Sequence, residues 1–460
     1  MIPHVRALEY SLLQRPVCIR TSGFRQSPAH HPSRLSVAFA EPSVAANNGI
    51  QHAAVTDVGM RRSNNQDSHA VVLAGDGAEW RERGHLFLVA DGMGAHAAGE
   101  LASKMAADGI PLKYFKQRDL PPAEALRASV RDLNAQIHDR GEHNLEFKGM
   151  GTTCSTLALL PEGAVVAHVG DSRVYRLRKG KLEQLSFDHS LVWELQAAGD
   201  FQDADTIHLP KNIITRSLGP NANVDVDLEG PFPLEVGDTF LLCSDGLTGE
   251  VKDDEIGVIL ECLPPEEAAR VLVDLANLRG GPDNITVIVT KVTGPEMVGK
   301  QSDLQDRGNG GSGGTLRSLM WLLSAASAAA TAGALIATAS MPLILGGVAG
   351  TVLFGLFALL IKPMPVPPPH RTASAGRYGK GPHTSRHCTA NGRMVADLAK
   401  MAAQLREAAT EEKWSIDWNR FEADIHDAEA AASEKNHTVA VQAYCRAISF
   451  LMNELRHQGR

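Results

Sequence analysis

"HLFLVADGMGAHAAGE", residues 85–100, carries an unbroken apolar run from Leu86 to Ala90 into an aspartate, two glycines and an alanine-rich segment. A run that short, closed by Asp-Gly, reads as a β-strand ending in a turn, because a helix needs more residues to bury a face. The text that follows, "AGELASKMAADGIPLKYF", spaces its apolar residues three and four apart, as an amphipathic helix lying on a sheet does. The stretch therefore predicts a strand, a tight connection and a covering helix. It leaves two readings for Asp91: a turn residue, or a metal ligand presented at the end of the strand.

The same grammar extends outward from 50 to 293. "AVVAHVGDSRVYRL", "DTFLLCSDG" and "NITVIVTKV" read as further strands by length and β-branched content. "PAEALRASVRDLNAQIHDRGE" and "PEEAARVLVDLANLRG" read as further amphipathic helices. Strands with inserted helices, in no regular βαβ alternation, predict an α+β domain. The chain has 460 residues, 43% hydrophobic and 21% charged, enough for a sizeable core. Its net charge of −8 offers no basic face for nucleic acid. Six cysteines without a CxxC pair argue against a zinc site or a disulfide framework.

Asp91 is not alone in its setting. Asp171 in "AHVGDSRVY", Asp245 in "FLLCSDGL" and Asp283 in "GPDNITVIV" each flank an apolar strand and are followed by Ser, Gly or Asn, and Asp67 closes "GMRRSNNQDS". Each is compatible with turn formation or helix capping. Together they are harder to explain so, because strand ends of one sheet bring distant residues to one edge. Carboxylates that converge repel one another unless cations neutralise them. Hard oxygen ligands suit Mg²⁺ or Mn²⁺, and two such ions about 3.5–4 Å apart activate water and clamp a phosphoryl group. That chemistry points to phosphate ester hydrolysis.

The ordered set "RRSNNQDS", "DGMGAHAAGE", "GTTCSTLALL", "VGDSRVYRL", "DHSLV", "ITRSLG", "CSDGLTGEV" and "GPDNITVIV" resembles the PP2C-type, metal-dependent serine/threonine protein phosphatases in their bacterial form, over about 51–293. The resemblance implies a four-layer α-β-β-α sandwich of two antiparallel sheets with a dinuclear Mn²⁺ or Mg²⁺ site at one end. It implies that Asp91 bridges the two ions, that Gly92 offers its carbonyl to the first, and that Asp245 and Asp283 hold the second. Asp171 matches the ligand of a third, weaker ion that shares Asp245. Arg62 matches the arginine that grips the substrate phosphate, a role suited to its bidentate fork. Asp67 matches an acid that holds metal-bound water, and Asp188 to Gly219 the flap beside the site. Three positions depart from the pattern. Gln66 replaces a common glutamate, which implies weaker metal affinity; Ala95 replaces a glycine; and Met93 stands where some relatives carry a histidine, leaving His96 as a candidate general acid beside metal-bound water itself. The implied activity is hydrolysis of phosphoserine and phosphothreonine in proteins, kinases and their substrates among them, by direct attack of a metal-bridging water. The competing readings are an inactive scaffold and a phospho-ligand binding module, each recruiting partners through the C-terminal tail.

The remaining segments differ sharply in composition. Residues 1–49 have neither Lys nor a signal-peptide core and read as a disordered extension, with an Arg- and Ser-rich organelle transit segment as the alternative. Residues 294–318 are Gly- and Ser-rich, a flexible tether. From Ser318 to Ile361 no residue is charged. One helix of that length would reach about 66 Å, twice a bilayer core of about 30 Å. A transmembrane hairpin over 319–361 is expected, turning near Pro342, with one crossing as the alternative. Basic residues at both outer ends place the phosphatase domain at the cytoplasmic face of a membrane, a bacterial inner membrane. Residues 363–392 read as a Pro/Gly/basic linker near the lipid headgroups. Residues 393–458 read as a small all-α tail, either one unit similar to a tetratricopeptide repeat or a three-helix mini-bundle, with a protein partner for the tail as a further expectation.

Overall fold

The computed structural model describes residues 49–94, 97–198, 213–298 and 377–458, with three isolated positions between 299 and 376. In chain order the strands are β1 (Ile50–Asp57), β2 (Asp67–Val72), β3 (His85–Met93), β4 (Gly151–Thr152), β5 (Cys154–Leu160), β6 (Gly163–Val169), β7 (Arg173–Arg178), β8 (Lys181–Gln184), β9 (Asp227–Phe232), β10 (Thr239–Cys243), β11 (Ile285–Val292) and β12 (Thr384–His387). The helices are α1 (Gly77–Glu82), α2 (Ala98–Lys116), α3 (Pro122–His143), α4 (Leu191–Ala198), α5 (Asp245–Thr248), α6 (Asp253–Cys262), α7 (Pro265–Leu278), α8 (Gly392–Glu411), α9 (Trp418–Ser433) and α10 (His437–Gln458). All strand pairs are antiparallel, in two sheets ordered β1-β11-β10-β7-β8-β12 and β2-β3-β5-β6-β9.

The alternation along β3 shows why the two sheets stack. Leu86, Leu88 and Ala90 pack against Ala102, Ala106 and Ile110 of α2 and Leu126 and Val130 of α3. Phe87 and Val89, on the opposite face, meet Phe240 and Leu242 of β10 and Ile288 of β11 between the sheets. Both faces are covered, so the strand reads as continuously apolar instead of alternating. The outer face of the other sheet, with Leu241 and Val287, is covered by α6 and α7. The order of layers is thus helices, sheet, sheet, helices.

Residues Arg377–Arg460 cluster with the sandwich as one compact unit, and residues 299–376, the other unit, lie almost entirely outside the described residues. Leu398, Phe421, Ile448 and Leu451 of the three tail helices share the apolar cluster of α6 and α7. Part of the segment read as a linker is strand β12, which pairs with β8 in the register Thr384↔Gln184 to His387↔Lys181. Just before it, Tyr378 and Gly230 exchange backbone hydrogen bonds beside β9. One short segment therefore covers the edges of both sheets, which protects otherwise unpaired N–H and C=O groups.

The membrane expectation is corrected. Among the described residues no helix is long and apolar enough to cross a membrane. The three tail helices are amphipathic: α8, with 20 residues, carries Arg393, Asp397, Lys400, Arg406, Glu407 and Glu411, and each such charge costs about 2.5–3.5 kcal/mol at a bilayer centre. The expected hairpin at 319–361 falls outside the described residues, apart from isolated positions, as do residues 1–48 and most of the tether. The transmembrane hairpin in the fold class and the placement of the phosphatase domain at a membrane are both withdrawn on this finding.

Candidate active site

Five expected aspartates gather at one end of the sandwich because five strand ends meet there. Asp67 opens β2 and stands directly opposite Asp91, near the end of β3. Asp171 occupies the turn between β6 and β7, Asp245 follows β10, and Asp283 precedes β11. The carboxyls of Asp91 and Asp245 lie within hydrogen-bonding reach of each other.

The frame that holds them is built from short polar residues. Thr153 accepts from the Asp91 amide through Oγ1 at 2.8 Å, and its own amide donates to Asp91 O at 2.8 Å. Ser244, buried at the end of β10, donates to Asp67 Oδ2 at 2.7 Å while its Oγ accepts from the Thr286 amide at 2.9 Å, joining the two sheets. Asn284 donates to Val58 O and Asn64 O, both at 2.9 Å, and accepts from the Gln66 amide at 2.8 Å. It thereby fixes the loop that carries Arg62. None of these three was singled out from the sequence; the available signal is their adjacency to Asp245, Asp283 and the strand ends.

Gly92 is required by close approach. Its amide donates to Gln66 O at 3.1 Å, and a Cβ there would stand 2.2 Å from Gly99 O and 2.5 Å from Gln66 O. Arg62 donates through Nη2 to Asp283 Oδ2 at 2.8 Å, so the expected phosphate anchor sits at the rim of the carboxylates. Its side chain is 48% exposed, open to an incoming anion. His96 lies outside the described residues.

The electrostatics are those of crowded, buried acids. Burial first, then the charges of Asp245 and Asp283, raise the Asp67 pKa to about 7 against the hydroxyl hydrogen bonds of Ser244 and Thr286. Burial and the neighbouring aspartates push Asp91 well above the ordinary range. Asp171 is raised to about 8 by burial and by Asp245 and Asp188, and Asp245 is raised by burial and by Asp283. One buried oxygen each of Asp67, Asp171 and Asp245 has no hydrogen-bond partner.

Such a set fits a hard divalent cation: oxygen donors only, partly unpartnered, at a cost that positive charge would relieve. Among the described residues no three His, Cys, Asp or Glu side chains already form a cage for an ion. Mg²⁺-type ions do not need one, since they keep several waters and take one or two carboxylates.

Comparison with known proteins bears on the domain as a whole. Residues 59–274 match protein phosphatase 2C. A putative protein phosphatase 2C-type of Streptococcus pyogenes is 40% identical over 238 residues, 50% of this chain and 93% of that protein. The serine/threonine phosphatase stp of Listeria monocytogenes is 38% identical over 242 residues, 51% of this chain and 93% of that protein. The solved serine/threonine phosphatase of S. agalactiae is 36% identical and covers 53% of this chain and 99% of its own, with a TM-score of 0.48. Identity at this level across nearly the whole of a relative defines a phosphatase domain. The chain belongs to the protein phosphatase 2C family, and its enzyme class is serine/threonine protein phosphatase.

Proposed function

We propose that the chain releases phosphate from phosphoserine and phosphothreonine in proteins, using two Mn²⁺ or Mg²⁺ ions with a third, weaker one. The observation that carries this reading is the meeting of Asp67 and Asp171, buried, with Asp91 and Asp245, half-buried, a set partly unpartnered, beside the open guanidinium of Arg62. In this reading Asp91, Asp245, Asp283 and the carbonyl of Gly92 hold the two principal ions, and Asp171 shares the third with Asp245. Bound there, the ions supply Lewis acidity that makes water a nucleophile at neutral pH.

The chain's own residues do the rest. Arg62 takes two phosphate oxygens in its fork, which turns the phosphorus towards the carboxylates. Asp67, whose Oδ2 is occupied by Ser244, keeps Oδ1 to orient the attacking water. The reading is a single displacement without a phosphoenzyme. The inactive-scaffold reading has less support, since every expected aspartate is retained and apolar side chains of the tail pack on helices of the same chain. The test is Mn²⁺-dependent release of phosphate from a phosphothreonine peptide by the full chain. Turnover no greater than that of an Asp245→Asn variant would sink the enzyme reading.

A further inference from the structure

Strand β12 lies far in sequence from the family match at 59–274, yet two routes lead from it to one buried residue at the edge of the site. The first runs through the sheet. His383 N–H donates to Gln184 O at 2.8 Å and Cys388 N–H to Gly180 O at 2.7 Å, so the tail segment grips both ends of β8. The Gln184 side chain, fully buried, then donates from Nε2 to Asp188 Oδ1 at 2.7 Å. The second route runs through charge. Arg386 of β12 lies 3.7 Å from Asp253 Oδ2. Asp253 accepts from Tyr175 OH at 2.9 Å and stands 3.7 Å from Arg173. Arg173 in turn grips Asp188 Oδ2 through Nε at 2.8 Å and Nη2 at 2.7 Å.

Asp188 is 2% exposed and marks the point where residues 188–198 leave the sandwich. Its neighbour His189 is tied to Gly170 in both directions, amide to carbonyl at 2.7 Å and Gly170 amide to His189 Nδ1 at 3.0 Å. Gly170 adjoins Asp171. Arg173 also lies over the ring of Trp193 in α4, 5.5 Å from its centroid. The residues that root this segment are therefore held from the tail side and the site side at once.

We propose that β12 is a positioning element acting in cis: by holding Gln184 and Asp253 it fixes Asp188, and so sets how the 188–198 segment stands beside Asp171. Arg386 is a positioning residue. It touches neither the carboxylates nor Arg62, and its guanidinium is largely exposed, which separates this role from that of a core residue. The inference deepens the phosphatase reading and rests on it for its kinetic arm only.

The test compares the full chain with its Arg386→Ala and Arg386→Lys variants by hydrogen exchange and by kinetics on a phosphothreonine peptide with Mn²⁺. Arg386→Ala is expected to speed amide exchange across 188–198 by about threefold to tenfold and to raise KM by a similar factor with kcat within about twofold, the range of a mid-strength coupling. Arg386→Lys, which keeps the charge, is expected to restore most of both. A merely structural role would lower kcat through the active fraction and leave KM alone. Faster exchange confined to 384–388 would overturn the proposal, as would an unchanged KM in an active enzyme. A Gln184→Ala variant, cutting the other route, is expected to loosen 188–198 in the same way, and rigidity there would also overturn it. If the wild-type chain proves inactive, the exchange data decide alone.

Discussion

Arg62 Nη2 and Asp283 Oδ2 meet at 2.8 Å, which joins the expected phosphate anchor to an expected metal carboxylate. The two side chains are 48% and 34% exposed, so the pair itself is worth at most about 1 kcal/mol. Arg62→Ala is therefore expected to leave the unfolding midpoint within a few degrees. Loss of charge-assisted bonds to phosphate, about 1.5–3 kcal/mol, should instead lower kcat/KM by roughly 10–100-fold. Calorimetric titration with Mn²⁺ separates the roles: unchanged or tighter binding fits a phosphate anchor, whereas weaker binding would show that Arg62 serves to orient Asp283.

Asp91 makes stability and activity oppose each other. It is a half-buried acid facing four others, and loss of solvent first, then the neighbouring carboxylates, raise its pKa and those of Asp67, Asp171 and Asp245. Asp91→Asn removes one charge and adds two donors among carboxylates. In buffer containing a chelator the variant should melt several degrees higher, on the order of 1–2 kcal/mol. Mn²⁺ should raise the midpoint of the wild type and leave that of Asp91→Asn almost unmoved. Its phosphatase activity should fall by more than the roughly 10–100-fold typical of an outer-shell change.

The sandwich and its aspartates are legible in the sequence because both rest on local signals. Apolar runs such as Leu86–Ala90 mark the strands, and a strand of fixed register brings Asp67 opposite Asp91 without further information. Ser244 and Asn284 are not legible in the same way, since a serine or asparagine at a strand end reads as a turn residue until its partners across the sheets are known. Strand β12, "TSRH", has no apolar alternation at all; its conformation comes from the free edge of β8, a tertiary cause that propensity does not contain. The uncharged run at 318–361 suggests a membrane helix by hydropathy alone; it lies outside the described residues apart from isolated positions, and among those described no helix is long and apolar enough to cross a membrane.

His85 gives the fold a defined acid limb. The Ala74 amide donates to its Nδ1 at 2.9 Å, so the neutral ring carries its proton on Nε2, and protonating Nδ1 breaks that bond. Burial first, then His52, lowers its pKa to about 4. The folded value lies below the ordinary 6.5, so the contribution is fully present above pH 6.5 and is lost as pH falls from 6.5 to 4. The loss is on the order of 3 kcal/mol. In His85→Gln the amide oxygen can still accept from Ala74, and the urea midpoint should fall less steeply over that window. An identical slope in the two proteins would assign the acid limb to other groups.

Gly257 offers a test of tail docking in which two physical effects have opposite signs. It sits inside α6, where alanine in place of glycine favours an isolated helix by about 1 kcal/mol. In the folded chain, however, a Cβ at 257 would stand 2.3 Å from Cys388 Sγ and 2.6 Å from its Cβ. Relief requires the segment after β12 to move, because the contact involves the root of the cysteine side chain as well as its end. Overpacking of this kind costs about 1–3 kcal/mol, enough to outweigh the helix term. Gly257→Ala should therefore lower stability. Cys388 supplies the second readout, since it is 1% exposed and burial raises its thiol pKa, so iodoacetamide should label it slowly in the wild type and faster in Gly257→Ala. Adding Cys388→Ala removes the sulfur contact but not the one to Cβ, so the double variant should recover part of the lost stability. If Gly257→Ala proved more stable than the wild type, with Cys388 labelled fast in both proteins, the tail would not be seated on α6 in solution.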